Sequence, residues 1–148
     1  MYEYSRGVFY YETDRMGVVH HSNFIRWLEE ARNSYFNDVN LAYVETESFG
    51  VMSPVTDIKM KFKHFAKFGD NFTVHLKMTQ YTGVRFRMAY TVVNQNGEEL
   101  LEAESAHAFI GENLRPVSLA RAIPERHELM QRLMETPGPE LGMKLGIR

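Results

Sequence analysis

The spacing of hydrophobic residues along this chain changes from a helical period to a strand period near Gly50. Across residues 22–39, apolar side chains recur at intervals of three and four residues, which predicts an amphipathic helix. Its apolar face consists of Phe24, Trp27, Leu28, Ala31, Tyr35, Phe36 and Val39. The opposite face, predicted to be solvated, carries Arg26, Glu29, Glu30, Arg32 and Asn33.

From Val51 onward apolar and polar residues alternate, which is the pattern of strands with one buried face. Four such strands are predicted at residues 57–63, 72–79, 84–91 and 99–110. Shorter segments predict a first strand at 3–12, a helical turn at 41–49, an edge strand at 115–117 and a final helix at 124–135. A long apolar helix beside such strands predicts an α+β fold, in which an antiparallel sheet with about four strands in a meander wraps around the helix.

Composition narrows the function classes. The 148 residues suit a single domain, predicted at residues 1–135 and followed by a loose C-terminal tail at 136–148. Seventeen Lys and Arg against nineteen Asp and Glu give a formal charge of −2, which disfavours a nucleic-acid partner. The absence of cysteine excludes disulfides, thiolate metal sites and a cysteine nucleophile. No signal peptide or membrane-spanning run is recognisable, so a cytoplasmic protein without membrane insertion is expected.

The junction segment, residues 10–24, joins the first strand to the long helix and holds the candidate chemistry. Asp14 is followed by a turn at Gly17 and then by the predicted start of the helix. Unpaired N–H groups at a helix N-terminus favour a polarised carbonyl oxygen, and a nearby carboxylate can act as general base or as nucleophile. The other interpretation of Asp14 is that it serves as a turn residue or a helix cap.

Other ionisable residues receive structural interpretations. His20 and His21 are adjacent, so their side chains are expected to point in different directions, and no second group has the spacing of metal ligands. We therefore predict no metal site, and we interpret His20 as a polar loop residue. Glu29 and Glu30 are the other candidate acids, but Glu30 follows Arg26 by four residues, a pairing typical of a solvated helix face, which is the interpretation we favour. A basic sheet face, either solvated or a docking surface for acidic partners, is predicted from Lys59, Lys61, Lys63, Arg85 and Arg87.

The junction segment also resembles the signature of a known family, the hotdog-fold acyl-CoA thioesterases. The 4-hydroxybenzoyl-CoA thioesterases and the thioesterases associated with the Tol–Pal system are the most similar branches. Residues 65–70 resemble the family's turn between its second and third strands. The matching residues are Tyr10-Tyr11-Glu12-Thr13-Asp14, Gly17-Val18-Val19, His21, Asn23-Phe24, Trp27-Leu28-Glu29 and Arg32.

This resemblance implies roles for several residues. Asp14 matches the catalytic carboxylate of the family. In the 4-hydroxybenzoyl branch a backbone N–H at the position of His21 polarises the thioester oxygen. In the Tol–Pal branch a histidine at that position takes part through its side chain, and a tyrosine matching Tyr10 is also implicated. The predicted substrate-binding residues are Gly17, Val18, Val19 and His21.

The resemblance further implies homodimers whose sheets join edge to edge, often assembled into homotetramers, with active sites between subunits. No cofactor is implied, because coenzyme A is part of the substrate. Residues 80–83 depart from the 4-hydroxybenzoyl branch, since the basic residues that bind coenzyme A phosphates there are missing. The nucleotide contacts and an aromatic acyl group are therefore not carried over.

The sequence thus predicts an enzyme that hydrolyses an acyl-CoA thioester to a free acid and coenzyme A. One alternative is a thioesterase that acts on acyl groups bound to acyl carrier protein, with the basic face as its docking surface. Another is a hotdog module that binds acyl-CoA without catalysis. A hydratase is disfavoured, because its motif places a histidine four or five residues after the acid, whereas His20 and His21 follow Asp14 by six and seven.

Overall fold

The computed structural model describes residues 1–135, so the tail predicted at 136–148 lies outside the described residues. The fold combines one sheet of five strands with one long helix and several short ones. The strands are β1 (Tyr2–Gly7), β2 (Val55–Phe62), β3 (Asn71–Tyr81), β4 (Arg85–Asn94) and β5 (Glu99–Ala108). The helices are α1 (Ser22–Asp38), α2 (Tyr43–Ser48), α3 (Leu119–Ala122) and α4 (Pro124–Glu135), and a 3₁₀ turn spans Tyr10–Glu12.

The sheet is antiparallel, with the spatial order β1-β3-β4-β5-β2. The predicted meander is right for β3, β4 and β5 and wrong for β2, which pairs with β5 in the register Met60↔Ala103. The reason is that β1 occupies the other edge of β3, in the register Tyr4↔Val74. Strand β2 therefore forms one free edge of the sheet and β1 forms the other.

Helix α1 lies across the buried face of the sheet and confirms the predicted amphipathic helix to within one residue at its C-terminus. Each of the seven residues assigned to its apolar face is buried. The Trp27 indole stacks on the Phe72 ring of β3 with 3.7 Å between centroids. The α+β prediction, a sheet wrapped around one central helix, is confirmed. No helix in the described range 1–135 has the length and apolarity needed to cross a membrane.

Two predicted strand segments are wrong. The first strand ends at Gly7, because the chain then turns inward through the 3₁₀ turn and buries the side chain of Glu12. Residues 115–117 form no strand; Pro116 makes only an isolated bridge to Ile110. Proline lacks the N–H that a continuing strand needs.

The sheet face predicted to be basic is mixed in charge. On this face Lys59 lies opposite Glu104, and Lys61 lies opposite Glu102. Lys63 forms ion pairs with Glu102 at 2.9 Å and with Glu99 at 2.5 Å. Opposite charges on neighbouring strands attract each other, so the lysines are partly neutralised, whereas Arg85 and Arg87 lie opposite Ala108 and Ala106.

A chain of hydrogen bonds runs through the core from Arg32, which the sequence analysis wrongly placed on a solvated face. Arg32 is only 5% exposed, and its Nη1 donates to the Tyr90 hydroxyl at 3.0 Å. The Tyr90 hydroxyl lies 2.6 Å from Ser105 Oγ, which lies 2.7 Å from His107 Nε2. Because the guanidinium of Arg32 can only donate, the Tyr90 hydroxyl accepts this hydrogen bond, and the hydroxyls of Tyr90 and Ser105 extend the chain to His107 Nε2.

We expect the free energy of unfolding to fall as the pH is lowered from about 6.5 to about 4. Burial, reinforced by the positive charge of Arg32, lowers the pKa of His107 to about 4. An unfolded histidine titrates near ~6.5, so between these values only the unfolded state takes up the proton. The expected loss is about 1.4 kcal/mol per pH unit, or about 3 kcal/mol in total. Urea unfolding across this pH range measures it.

His107→Gln provides the control for this measurement. A glutamine carbonyl can still accept the Ser105 hydroxyl but does not titrate, so the variant should lose this part of the pH dependence. The carboxylates titrate in both proteins, so the difference between the two slopes of unfolding free energy against pH gives the contribution of His107 alone. Equal slopes in the two proteins would contradict the expectation.

Candidate active site

Asp14 opens the tight turn that connects the 3₁₀ turn to the N-terminus of α1. Its backbone N–H donates to the Val18 carbonyl at 2.8 Å, and its carbonyl accepts the Gly17 N–H at 3.0 Å. Gly17 adopts a φ of +81°, a conformation that costs glycine little. Asp14 Oδ1 accepts the Met16 N–H at 2.8 Å, whereas Oδ2 accepts no hydrogen bond from residues 1–135. One carboxylate oxygen is thus fixed by the turn and the other is available for chemistry.

His20 and His21 form the entry to α1. The Ser22 N–H donates to His20 Nδ1 at 3.2 Å and the Asn23 N–H donates to the His20 carbonyl at 2.9 Å, so His20 pairs two of the N–H groups at the start of α1, whose N-cap position is held by His21. The His21 N–H, in contrast, makes no hydrogen bond within the described residues. It is therefore a free donor at the positive end of the helix dipole.

The two histidine rings stack, with centroids 4.3 Å apart and planes inclined by 29°. The prediction that they point in different directions is therefore wrong. His20, interpreted above as a polar loop residue, has a structural role in that it accepts hydrogen bonds from two N–H groups at the start of α1. Among residues 1–135, no group of three or more His, Asp or Glu side chains is arranged to hold a metal ion.

Asp14 and His21 line the same open groove, which has a volume of about 630 Å³. Val18 and Val19, two further predicted site residues, also line it. Gly17 shapes the turn but is not part of the lining, and neither is Tyr10, which is 74% exposed and packs its ring against Phe68. The other lining residues are Met16, Phe24, Phe62, Lys63, His64 and Phe65.

Large apolar side chains are exposed around this groove. Met16 and Phe65 are 79% and 78% exposed, and Phe62, at the end of β2, is half exposed. A cluster of this kind on one side of a molecule is typical of a binding surface or of an interface between chains. The free edge of β2 lies next to it.

Glu12 is the residue of the junction segment that the sequence analysis missed as important. It is buried and forms an ion pair with Arg6 at 2.8 Å. Arg6 also pairs with Glu30 at 2.7 Å, so the predicted partnership of Glu30 with Arg26 is wrong. The sequence signal was weak, because Arg6 lies on a separate strand and only the fold brings the three side chains together.

The sequence of this chain matches a known protein family and several known proteins. A family model described as the thioesterase-like superfamily matches residues 8–133. A Bacillus subtilis (strain 168) protein named putative acyl-CoA thioesterase YneP is 34% identical over 119 residues, covering 80% of this chain and 86% of the relative. A 1,4-dihydroxy-2-naphthoyl-CoA hydrolase of Thermosynechococcus vestitus is 28% identical, covering 71% and 73% of the two chains.

A solved structure gives the same picture. The DHNA-CoA thioesterase of Staphylococcus aureus superimposes with a TM-score of 0.86 at 28% identity. The superposition covers 90% of this chain and 91% of that protein.

Proposed function

Because this chain belongs to the thioesterase-like superfamily and is a hotdog-fold thioester hydrolase, we propose that it hydrolyses an acyl-CoA to a free acid and coenzyme A. One observation carries the proposal: a carboxylate oxygen of Asp14 without a partner and the free His21 N–H belong to residues that line one groove. A thioester bound there would meet a donor for its carbonyl oxygen and a base for the attack on its carbon.

The proposed mechanism uses the two groups together. The His21 N–H donates to the thioester carbonyl oxygen and stabilises the negative charge that develops on it. As a general base, Asp14 takes a proton from water, whose oxygen attacks the carbonyl carbon, and the coenzyme A thiolate leaves and is protonated. As a nucleophile, Asp14 attacks the carbon directly and the coenzyme A thiolate leaves and is protonated. Water then hydrolyses the resulting mixed anhydride, which releases the free acid and regenerates the Asp14 carboxylate. Both routes fit the free oxygen of Asp14.

His21 and Tyr10 have supporting roles in this proposal. The His21 side chain lines the groove, where it can orient the substrate. Tyr10 packs on Phe68 and does not line the groove of its own chain. It would therefore contact either a part of the substrate that extends beyond the groove or a substrate bound in the groove of a second subunit. Gly17 contributes by shaping the turn, and Val18 and Val19 contribute apolar contact with the acyl group.

The chemical class of the acyl group and its carrier are further parts of this proposal. The assignment to the 4-hydroxybenzoyl-CoA or Tol–Pal branch stays a prediction. Relatives named 1,4-dihydroxy-2-naphthoyl-CoA hydrolases and the aromatic side chains Phe24, Phe62 and Phe65 favour an aromatic acyl group as one candidate. Relatives named for coenzyme A thioesters favour coenzyme A over an acyl carrier protein as the carrier of the acyl group.

We further propose that the enzyme is a cytoplasmic homodimer or homotetramer that needs no metal or bound cofactor. The unpaired edge of β2 and the exposed Phe62 and Phe65 support an interface beside the groove. A partner chain at this edge would close the groove and complete the substrate site.

A thiol-release assay tests the proposal with short, long and aromatic acyl-CoAs and with the same acyl groups on acyl carrier protein. We expect saturable hydrolysis of at least one acyl-CoA, with kcat/KM of about 10⁴ M⁻¹s⁻¹ or more. A higher kcat/KM for acyl groups on acyl carrier protein would show that the substrate is an acyl carrier protein thioester rather than acyl-CoA. Tight binding of acyl-CoA with no thiol release would instead indicate a non-catalytic binding module.

A further inference from the structure

We infer that Glu12 is a positioning residue that fixes the distance between Asp14 and the His21 N–H, and this inference rests on the proposed function. Glu12 touches no substrate, because it is buried with only 2% of its surface exposed and is not among the residues lining the groove. It acts through the two segments that carry the reacting groups.

The carboxylate of Glu12 is saturated with donors from three different elements. Oε1 accepts the Phe9 N–H at 2.8 Å and Arg6 Nη1 at 2.9 Å. Oε2 accepts Arg6 Nη2 at 2.8 Å and the Trp27 indole Nε1–H at 2.7 Å. Burial alone raises the pKa of Glu12, but these bonds outweigh it and hold the pKa below its usual value. The charged carboxylate thus ties β1 and the 3₁₀ turn to the second turn of α1.

The backbone carbonyl of Glu12 adds two more ties to the start of the helix. It accepts the His20 N–H at 2.9 Å and the Asn23 Nδ2–H at 2.8 Å. Glu12 is therefore hydrogen-bonded to His20, just before α1, and to Asn23 and Trp27 within it. Asp14 lies two residues after Glu12 and His21 lies one residue after His20, so each reacting group is within two residues of an anchored residue.

Glu30 provides a matched comparison. It also accepts hydrogen bonds from Arg6, at 2.7 and 2.9 Å, and it receives the Tyr4 hydroxyl at 2.9 Å. None of its hydrogen bonds reaches residues 9–21. Glu30→Gln thus weakens the same ion-pair network without touching the attachment between Asp14 and the helix.

The test compares Glu12→Gln with Glu30→Gln in the full-length protein. For Glu12→Gln we expect kcat to fall by about 10²-fold with KM changed by less than about 3-fold, because a misplacement of about 1 Å costs this much in rate. For Glu30→Gln we expect kcat within about 3-fold of the wild type. Equal losses in both variants, or a loss in Glu12→Gln confined to KM, would overturn the inference.

A second readout is independent of turnover. Hydrogen exchange of the Asp14, Gly17 and His20 amides should accelerate in Glu12→Gln and stay unchanged in Glu30→Gln. If the wild type proves inactive on every thioester, the proposed function fails, and this comparison still decides whether Glu12 fixes the junction segment. Identical exchange in both variants contradicts its role.

If Glu12→Gln does not fold, Asn23→Ala takes its place, because it removes one hydrogen bond to Glu12 without changing the charge. For this variant we expect the same effects on kcat and on hydrogen exchange, but smaller.

Discussion

Asp14→Asn is expected to lower kcat for thioester hydrolysis by about 10²–10⁴-fold, the usual contribution of a general acid–base group. Asparagine keeps the shape of the side chain, and its carbonyl oxygen can still accept the Met16 N–H that Asp14 Oδ1 accepts. The turn should therefore form as before, and the melting temperature should change by no more than a few degrees. The variant loses only the negative charge, because one carboxylate oxygen is replaced by an amide nitrogen.

The measurement is single-turnover and steady-state thiol release by purified Asp14→Asn, with thermal unfolding as the control for folding. Turnover close to that of the wild type would remove Asp14 from the mechanism. In ¹⁸O-labelled water, incorporation of label into the Asp14 carboxyl group of the wild type would identify the nucleophilic route. A nucleophilic Asp14 acquires ¹⁸O when the anhydride is hydrolysed at its own carboxyl carbon, whereas a general base does not exchange its oxygens.

The second large effect is expected from the backbone at position 21. His21→Pro deletes the N–H at the helix entry, and loss of one oxyanion donor typically lowers kcat by about 10²–10³-fold. His21 has a φ of −56°, which is within the range of proline, and proline is common at the start of helices. The substitution should therefore be compatible with the start of α1.

His21→Ala is the matched variant, because it removes the ring and keeps the N–H. The ratio of kcat between the two variants isolates the backbone donor, and the loss in His21→Ala alone measures the imidazole. Both should retain the wild-type melting temperature to within a few degrees. Equal activity in the two variants would show that the carbonyl oxygen takes its hydrogen bond elsewhere.

The elements that sequence predicted well are those whose signal is local. The period of α1 and the alternation in β3 and β5 each arise from one face turned to the core, so residues near in sequence suffice to reveal them. The placement of β2 next to β5 was missed because pairing partners far apart in sequence leave no local mark. The buried Arg32 was missed for the same reason, since its acceptor Tyr90 lies on β4.

In the candidate site, too, the features with a local sequence signal were predicted and those that depend on distant residues were not. Asp14, Gly17 and the start of α1 are close in sequence, and a turn followed by a helix is a local pattern. Their resemblance to a known family then suggested the chemistry. The role of Glu12 depends on Arg6 from a different strand and on Trp27 from the second turn of α1, so it became visible only in the folded chain. The sequence therefore indicated the proposed reacting groups but not the buried residues that hold them in position.

The bond between Glu12 and Trp27 gives the chain a built-in optical probe. Trp27 is the only tryptophan of the 148 residues, so tryptophan fluorescence, excited at wavelengths that tyrosine does not absorb, comes from one indole at the base of the junction segment. Emission from that ring reports the polarity and hydrogen bonding of its surroundings. Substrate entry, subunit dissociation or loosening of the Asp14 turn could each be followed through it without attaching a label.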